Sequence, residues 1–167
     1  MNQRDEEEFR EFVAGRMESL RGLAYLTCGD WQAAEDAVST ALSKLYVHWS
    51  RVSAPYNYVR RSVVHAAIDE TRRPWRRERS TSPDLLDRPA PGRIDAGDDH
   101  AHVREALLRV PRGQRAVLVL RFYEELSVEE TARVLGRSTG TVKSQTAKGL
   151  EALRAALGSH DFHAAIG

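Results

Sequence analysis

A chain of 167 residues, 41% hydrophobic and 29% charged, has room for one ordinary soluble domain or two small ones. Its single cysteine, Cys28, excludes an internal disulfide and a multi-cysteine zinc site, and no apolar run approaches the length of a membrane span. The net charge of +1 does not announce a nucleic-acid binder, but its distribution does: Asp5, Glu6, Glu7, Glu8 and Glu11 crowd one end, while arginines crowd Arg72 to Arg79 and recur from Arg109 to Arg121. The acidic start is also wrong for a secretory signal, so the expected compartment is the cytoplasm, with no membrane insertion.

In chain order, Phe9, Phe12, Val13, Met17, Leu20, Leu23 and Ala24 recur at three- and four-residue spacing, which predicts an amphipathic helix. Gly29 and Asp30 break it, and Asp30 is placed to cap the next helix. That second helix carries Ala34, Ala37, Val38, Ala41, Leu42, Leu45, Tyr46 and Trp49 on one stripe, with Glu35, Asp36, Ser39, Ser43 and Lys44 outside. A short polar loop, Ser50 to Ala54, leads to Pro55, a residue suited to the first turn of a helix. On this third helix Val59, Val63, Ala66, Ala67 and Ile68 face inward, and Arg60 and Arg61 cannot share their stripe. Tyr58 and His65 are two helical turns apart and therefore lie on one side. Pro74 disfavours helical geometry just before it, so the helix is predicted to end near Arg73.

Beyond it, RRPWRRERS sets Trp75 among arginines, a composition suited to a sugar-phosphate track or to a solubilising patch. The stretch from Ser80 to Asp99 is rich in proline and aspartate and poor in large apolar residues, so it reads as a flexible tether. Val103, Leu107 and Val110 then mark a helix that Pro111 ends. Val117, Leu118, Leu120, Phe122 and Tyr123 mark another. The fold class predicted is all-α, with two helical domains at residues 1–79 and 100–158, a tether at 80–99 and a frayed tail at 159–167.

The second domain ends in VEETARVLGRSTGTVKSQTAKGL, which has the spacing of a helix-turn-helix. Ser127 and Glu130 form a capping box at its start, Ala132 is small where a second helix must cross, and Gly136 fits a left-handed cap. Ser138 or Thr139 caps the second helix, which runs to about Leu157 with Val142, Leu150, Leu153 and Leu157 inward. Lys143, Ser144, Gln145, Thr146 and Lys148 are left toward solvent or DNA, as a helix lying in a major groove requires. Ser138, Thr139 and Thr141 are placed to meet phosphate through hydroxyls and backbone N–H groups. Lys143, Ser144 and Lys148 fall where base edges or flanking phosphates should be, and Gln145 suits either. Arg115 and Arg121 are phosphate candidates or surface charges.

Catalytic readings fare badly. Glu129 and Glu130 are adjacent on a helix and diverge by about 100°, so they cannot flank one substrate. His100 and His102 lie beside Asp98 and Asp99 at the edge of the tether, where a metal would lack a rigid frame. No glycine-rich phosphate loop or nucleophile–base set is readable, so neither an enzyme nor a cofactor is expected.

Taken as a whole, the layout resembles the extracytoplasmic-function (ECF) sigma factors of bacterial RNA polymerase. The segment VPRGQRAVLVLRFYEELSVEETARVLGRSTGTVKSQ is similar to the family's region 4, and AEDAVSTALSKLYVHW and YVRRSVVHAAIDETRR are similar to two helices of region 2. The resemblance implies core RNA polymerase and promoter DNA as partners, and leaves open whether an anti-sigma factor is a third. It implies polymerase contact through Asp36, Ser39, Thr40 and Lys44, and recognition and melting of the −10 element through Tyr58, Arg60, Arg61, His65, Arg72 and Arg73. The −35 element would fall to Ser138, Thr139, Thr141, Lys143, Ser144, Gln145 and Lys148. Five positions depart from the usual pattern: Ser39-Thr40 stand for Gln-Glu, Tyr58 for an aromatic that is commonly Trp, His65 for Asn, and Gln145 where an arginine is common.

Overall fold

The computed structural model describes residues 1–71 and 101–158. The described residues contain seven α-helices and no strand, and the chain divides into two compact units with the division between Arg93 and Ile94.

The first unit is three helices, α1 (Gln3–Cys28), α2 (Trp31–His48) and α3 (Pro55–Thr71), with a 3-10 turn at Trp49–Arg51. α1 begins ahead of its first apolar residue. Asn2 accepts a hydrogen bond from the Asp5 N–H while Asp5 reaches back to the Asn2 N–H, a reciprocal cap that the periodicity alone does not reveal. Its N-terminal half is mostly exposed and is held by aromatic edges: Phe9 meets Tyr46 at 5.2 Å and Trp49 at 5.4 Å, and Phe12 meets Trp49 at 5.5 Å. From Leu20 onward α1 enters the core. Gly29, at φ 79°, closes it in the left-handed conformation, and Asp30 Oδ1 accepts from the Gln32 N–H to start α2.

Leu20, Leu23, Leu45, Val59, Val63 and Val64 are completely buried where the three helices meet. Each such side chain contributes about 1.5–3 kcal/mol over an exposed one. Val64 completes this core beside the expected Val59, Val63 and Ala67, whereas Ala66 and Ile68 are only half-buried. Tyr46 departs from the expected buried stripe and is 44% exposed. Its ring packs against Phe9 at an interplanar angle of 75°, and α1 leaves it otherwise only partly covered.

The second unit contains α4 (Ala101–Arg109), α5 (Arg112–Leu118) with a π-helical turn at Val119–Tyr123, α6 (Val128–Leu135) and α7 (Thr139–Leu157). Ala116 through Leu120 form a continuous buried run, joined by Val110, Leu126, Val142 and Leu153. α7 crosses α5 closely at Gly149, where an added Cβ would lie 3.0 Å from Leu118 Cγ. The wider π turn rotates Phe122 outward. It is 45% exposed, not the core residue its apolar character suggested. The segments from 72 to 100 and from 159 to 167 lie outside the described residues. The basic run with Arg72 and Arg73, the tether and the tail therefore have no structural description.

Candidate nucleic-acid and polymerase interfaces

The helix-turn-helix is assembled by local chemistry that the sequence spells out. Ser127 Oγ accepts from the Glu130 N–H at 3.0 Å, and Glu130 Oε1 accepts from the Ser127 N–H at 3.2 Å. α6 ends at Gly136, φ 65°, and the N–H groups of both Gly136 and Arg137 return to the Ala132 carbonyl. Ser138, not Thr139, caps α7. Its hydroxyl accepts from the Thr141 N–H at 3.1 Å and donates to Thr141 Oγ1 at 2.9 Å.

These caps aim α7. Val142, Gly149 and Leu153 are buried against the unit, which leaves Thr139, Thr141, Lys143, Ser144 and Lys148 exposed together with Ser138. The outer face of α7 thus carries hydroxyls at its N-terminal end and two lysines further along. Such a face suits anionic oxygens and base edges. Thr146 is half-buried, its hydroxyl bonded back to the Val142 carbonyl at 2.7 Å. Gln145 is also half-buried, and its Oε1 accepts from Arg137 Nη1 at 2.7 Å.

Two arginines with open roles in the sequence have structural ones. Arg115 is only 8% exposed and donates to the Leu108 carbonyl at 3.2 Å, which ties α5 to α4. Arg121 donates to the Leu126 carbonyl at 2.7 Å and so clasps the loop after the π turn, its guanidinium 5.7 Å from the Phe122 ring.

In the first unit, Tyr58 and His65 line one cleft of about 530 Å³ between α2 and α3, as their two-turn spacing requires. Arg61 lines it too, together with Thr40 and Lys44 from α2 and Asp69 and Glu70 at the far end of α3. An aromatic ring, an imidazole and two cationic side chains therefore surround a single opening. Arg60 is elsewhere: Nη2 donates to Asn57 Oδ1 at 3.1 Å, and the guanidinium lies 5.3 Å from the Tyr56 ring.

The exposed ridge of α2 holds Asp36, Ser39, Thr40 and Lys44. It divides the cleft from an open apolar groove of about 700 Å³ between α1 and α2, lined by Phe9, Met17, Val38, Leu42, Tyr46 and Val47 among others. Val47 is 73% exposed on this ridge. The sequence signalled these apolar neighbours only through a valine off the buried stripe. No helix among the described residues is long and apolar enough to cross a membrane. The described residues also contain no group of three or more His, Cys, Asp or Glu side chains able to hold a metal ion.

Two family models fit this architecture, Sigma-70 region 2 over residues 13–77 and Sigma-70, region 4 over residues 101–153. The chain is 33% identical over 164 residues to the RNA polymerase sigma-E factor of Streptomyces coelicolor, covering 94% of this chain and 90% of that protein. It is 31% identical over 159 residues to the ECF RNA polymerase sigma factor SigM of Mycobacterium tuberculosis, covering 92% and 79%. Its fold matches that of the sigma factor RpoE from Bartonella quintana, crystallised with the anti-sigma factor NepR, at a TM-score of 0.70. That match has 19% identity and spans 92% of this chain and 98% of the other. The chain belongs to the ECF group of the sigma-70 family, the alternative sigma factors of transcription initiation.

Proposed function

We propose that the two units divide promoter recognition between them, with α7 entering the major groove of the −35 element and the α2/α3 cleft receiving unpaired bases of the −10 element. The observation that carries this reading is the convergence of Tyr58, His65 and Arg61 on one cleft. A ring that can stack, a ring that can hydrogen-bond and a cation for the backbone are the components of a single-strand binding surface. The exposed α2 ridge with Asp36, Ser39, Thr40 and Lys44, extended by the apolar groove beside it, docks on core polymerase. The phosphodiester chemistry belongs to the polymerase, and this chain supplies recognition and opening without catalysing a reaction. It acts in the cytoplasm, where core polymerase and DNA are found.

The domain limits 1–79, 80–99 and 100–158 are part of the same proposal, as are phosphate contacts by Arg72 and Arg73. The relation to a sigma factor crystallised with an anti-sigma factor supports an anti-sigma partner here as well. The test is open-complex formation by the full chain with core polymerase, on duplex promoters and on promoters pre-melted at the −10 element. Replacing Tyr58 and His65 by Ala should impair the duplex template by roughly 10- to 100-fold, in line with the loss of one or two base contacts, and should impair the pre-melted one less. Equal loss on both templates would remove the cleft from the opening step.

A further inference from the structure

The turn between α6 and α7 is short and tightly held. The Gly136 and Arg137 N–H groups share the Ala132 carbonyl, and Ser138 caps α7 one residue later. The backbone of Arg137 is therefore fixed on both sides. From this base its side chain reaches toward α7: Nη1 donates to Gln145 Oε1 at 2.7 Å and to the Gly113 carbonyl at 3.1 Å. Gln145 is seated in turn against the start of α5, its Nε2 3.6 Å from where a Cβ on Gly113 would stand. On α7, Gln145 lies one turn after Thr141 and three residues before Lys148, so these three side chains share a flank of the helix. Thr141 and Lys148 are both exposed, and Arg137 is partly so. The guanidinium thus stands beside that flank at Gln145, the residue between Thr141 and Lys148 along it.

We propose that Arg137 is a phosphate-contacting residue of the DNA interface and that Gln145 is the residue that positions it, not a reader of bases. The inference rests on α7 being the DNA-facing helix. A glutamine that reads an adenine edge must offer both its donor and its acceptor to the base. Here the acceptor is committed to a guanidinium in a short, charge-assisted bond. Arginine, in contrast, carries its charge on a planar fork matched to phosphate oxygens. Two bonds at one nitrogen hold that fork beside the recognition helix before DNA arrives, which lowers the ordering cost of the contact.

The experiment uses the full chain bound to core polymerase and measures affinity against salt concentration on two probes. One is a duplex promoter selected by run-off transcription, and the other is an unrelated duplex of equal length. Arg137→Gln keeps a polar side chain and removes the charge. It should weaken both probes about tenfold at low salt and reduce the salt slope by about 0.9. Arg137→Lys should keep the slope. Gln145→Ala should weaken binding by a smaller factor, without altering base preference at any promoter position. Combined with Arg137→Gln, it should add nothing further.

An unchanged salt slope for Arg137→Gln would overturn the inference, even if thermal stability fell, because a purely structural arginine moves stability and not slope. Relaxed preference at one promoter position in Gln145→Ala would overturn it too, by making Gln145 a reader. Lys148→Ala separates the levels. If it lowers the slope while Arg137→Gln does not, the inference fails and the placement of α7 stands. If neither changes the slope, the placement of α7 fails and the inference with it.

Discussion

Replacing Gly136 by alanine isolates one requirement of the helix-turn-helix from all others. No atom beyond the residue and its chain neighbours lies within 4 Å of the Cβ that the substitution would add, so the change creates no tertiary clash. What it creates is backbone strain, because Gly136 sits at φ 65° and ψ 37°. An L-residue pays roughly 1–2 kcal/mol in that region relative to glycine. The less flexible unfolded chain returns about 0.4–1 kcal/mol. The second unit should therefore lose about 1 kcal/mol, and its urea midpoint should fall by roughly 0.5–1 M.

Gly15 is the matched control, since it is exposed on α1, also has open space around its Cβ and lacks a positive φ. There the same substitution should stabilise the first unit by up to about 1 kcal/mol through helix propensity. Trp31 and Trp49 lie in the first unit, so their fluorescence follows its unfolding, while far-ultraviolet circular dichroism follows both units. If Gly136→Ala left the second unit as stable as wild type or more so, the left-handed turn would not be what ends α6.

Three further outcomes are expected. Thr131 is completely buried, and its Oγ1 has no hydrogen-bond partner among the described residues. Thr131→Val should therefore stabilise the second unit by about 1–2 kcal/mol, and a lower thermal midpoint would contradict that. Reversing charge on the α2 ridge with Asp36→Arg should weaken association with core polymerase by roughly 3- to 10-fold while leaving far-ultraviolet dichroism unchanged. Unaltered association in a pull-down titration would remove Asp36 from the contact. Limited proteolysis should cut first between Ser80 and Asp99, a segment expected from its composition to lack a core. First cuts within α1–α3 or α4–α7 would break the two-domain reading.

The local features of this chain were legible in its sequence because their chemistry spans only a few residues. The Ser127–Glu130 box, the Gly136 cap, the Asp30 cap and the proline at the start of α3 each depend on neighbours within one turn. The Asn2–Asp5 cap carried the same kind of signal, but the first apolar residue drew the predicted start of α1 further along the chain. What was not legible depends on where a long side chain ends up. Arg115 and Arg121 look like phosphate candidates or surface charges until Leu108 and Leu126 present their carbonyls, and no spacing rule shows that Arg137 reaches Gln145.

Hydrophobic patterning likewise overstates burial at helix edges. Tyr46 and Phe122 follow an apolar stripe, but α1 leaves the first only partly covered and the π turn rotates the second away. The convergence of Tyr58, Arg61 and His65 with Thr40 and Lys44 was half legible. The seven-residue spacing set the α3 side, and the packing of α2 against it supplied the rest.

Run-off transcription tests most directly whether this chain gives core polymerase its promoter specificity. Purified full-length protein is combined with bacterial core polymerase on genomic promoter fragments, and duplex binding by the protein alone is measured in parallel. One recognition helix and one small cleft bury little area, so binding without core should be weak and poorly specific at physiological salt. With core present, transcripts should begin at a defined site. Tight sequence-specific binding by the protein alone, with no association with core and no defined transcript, would contradict the account and make this a free-standing regulator.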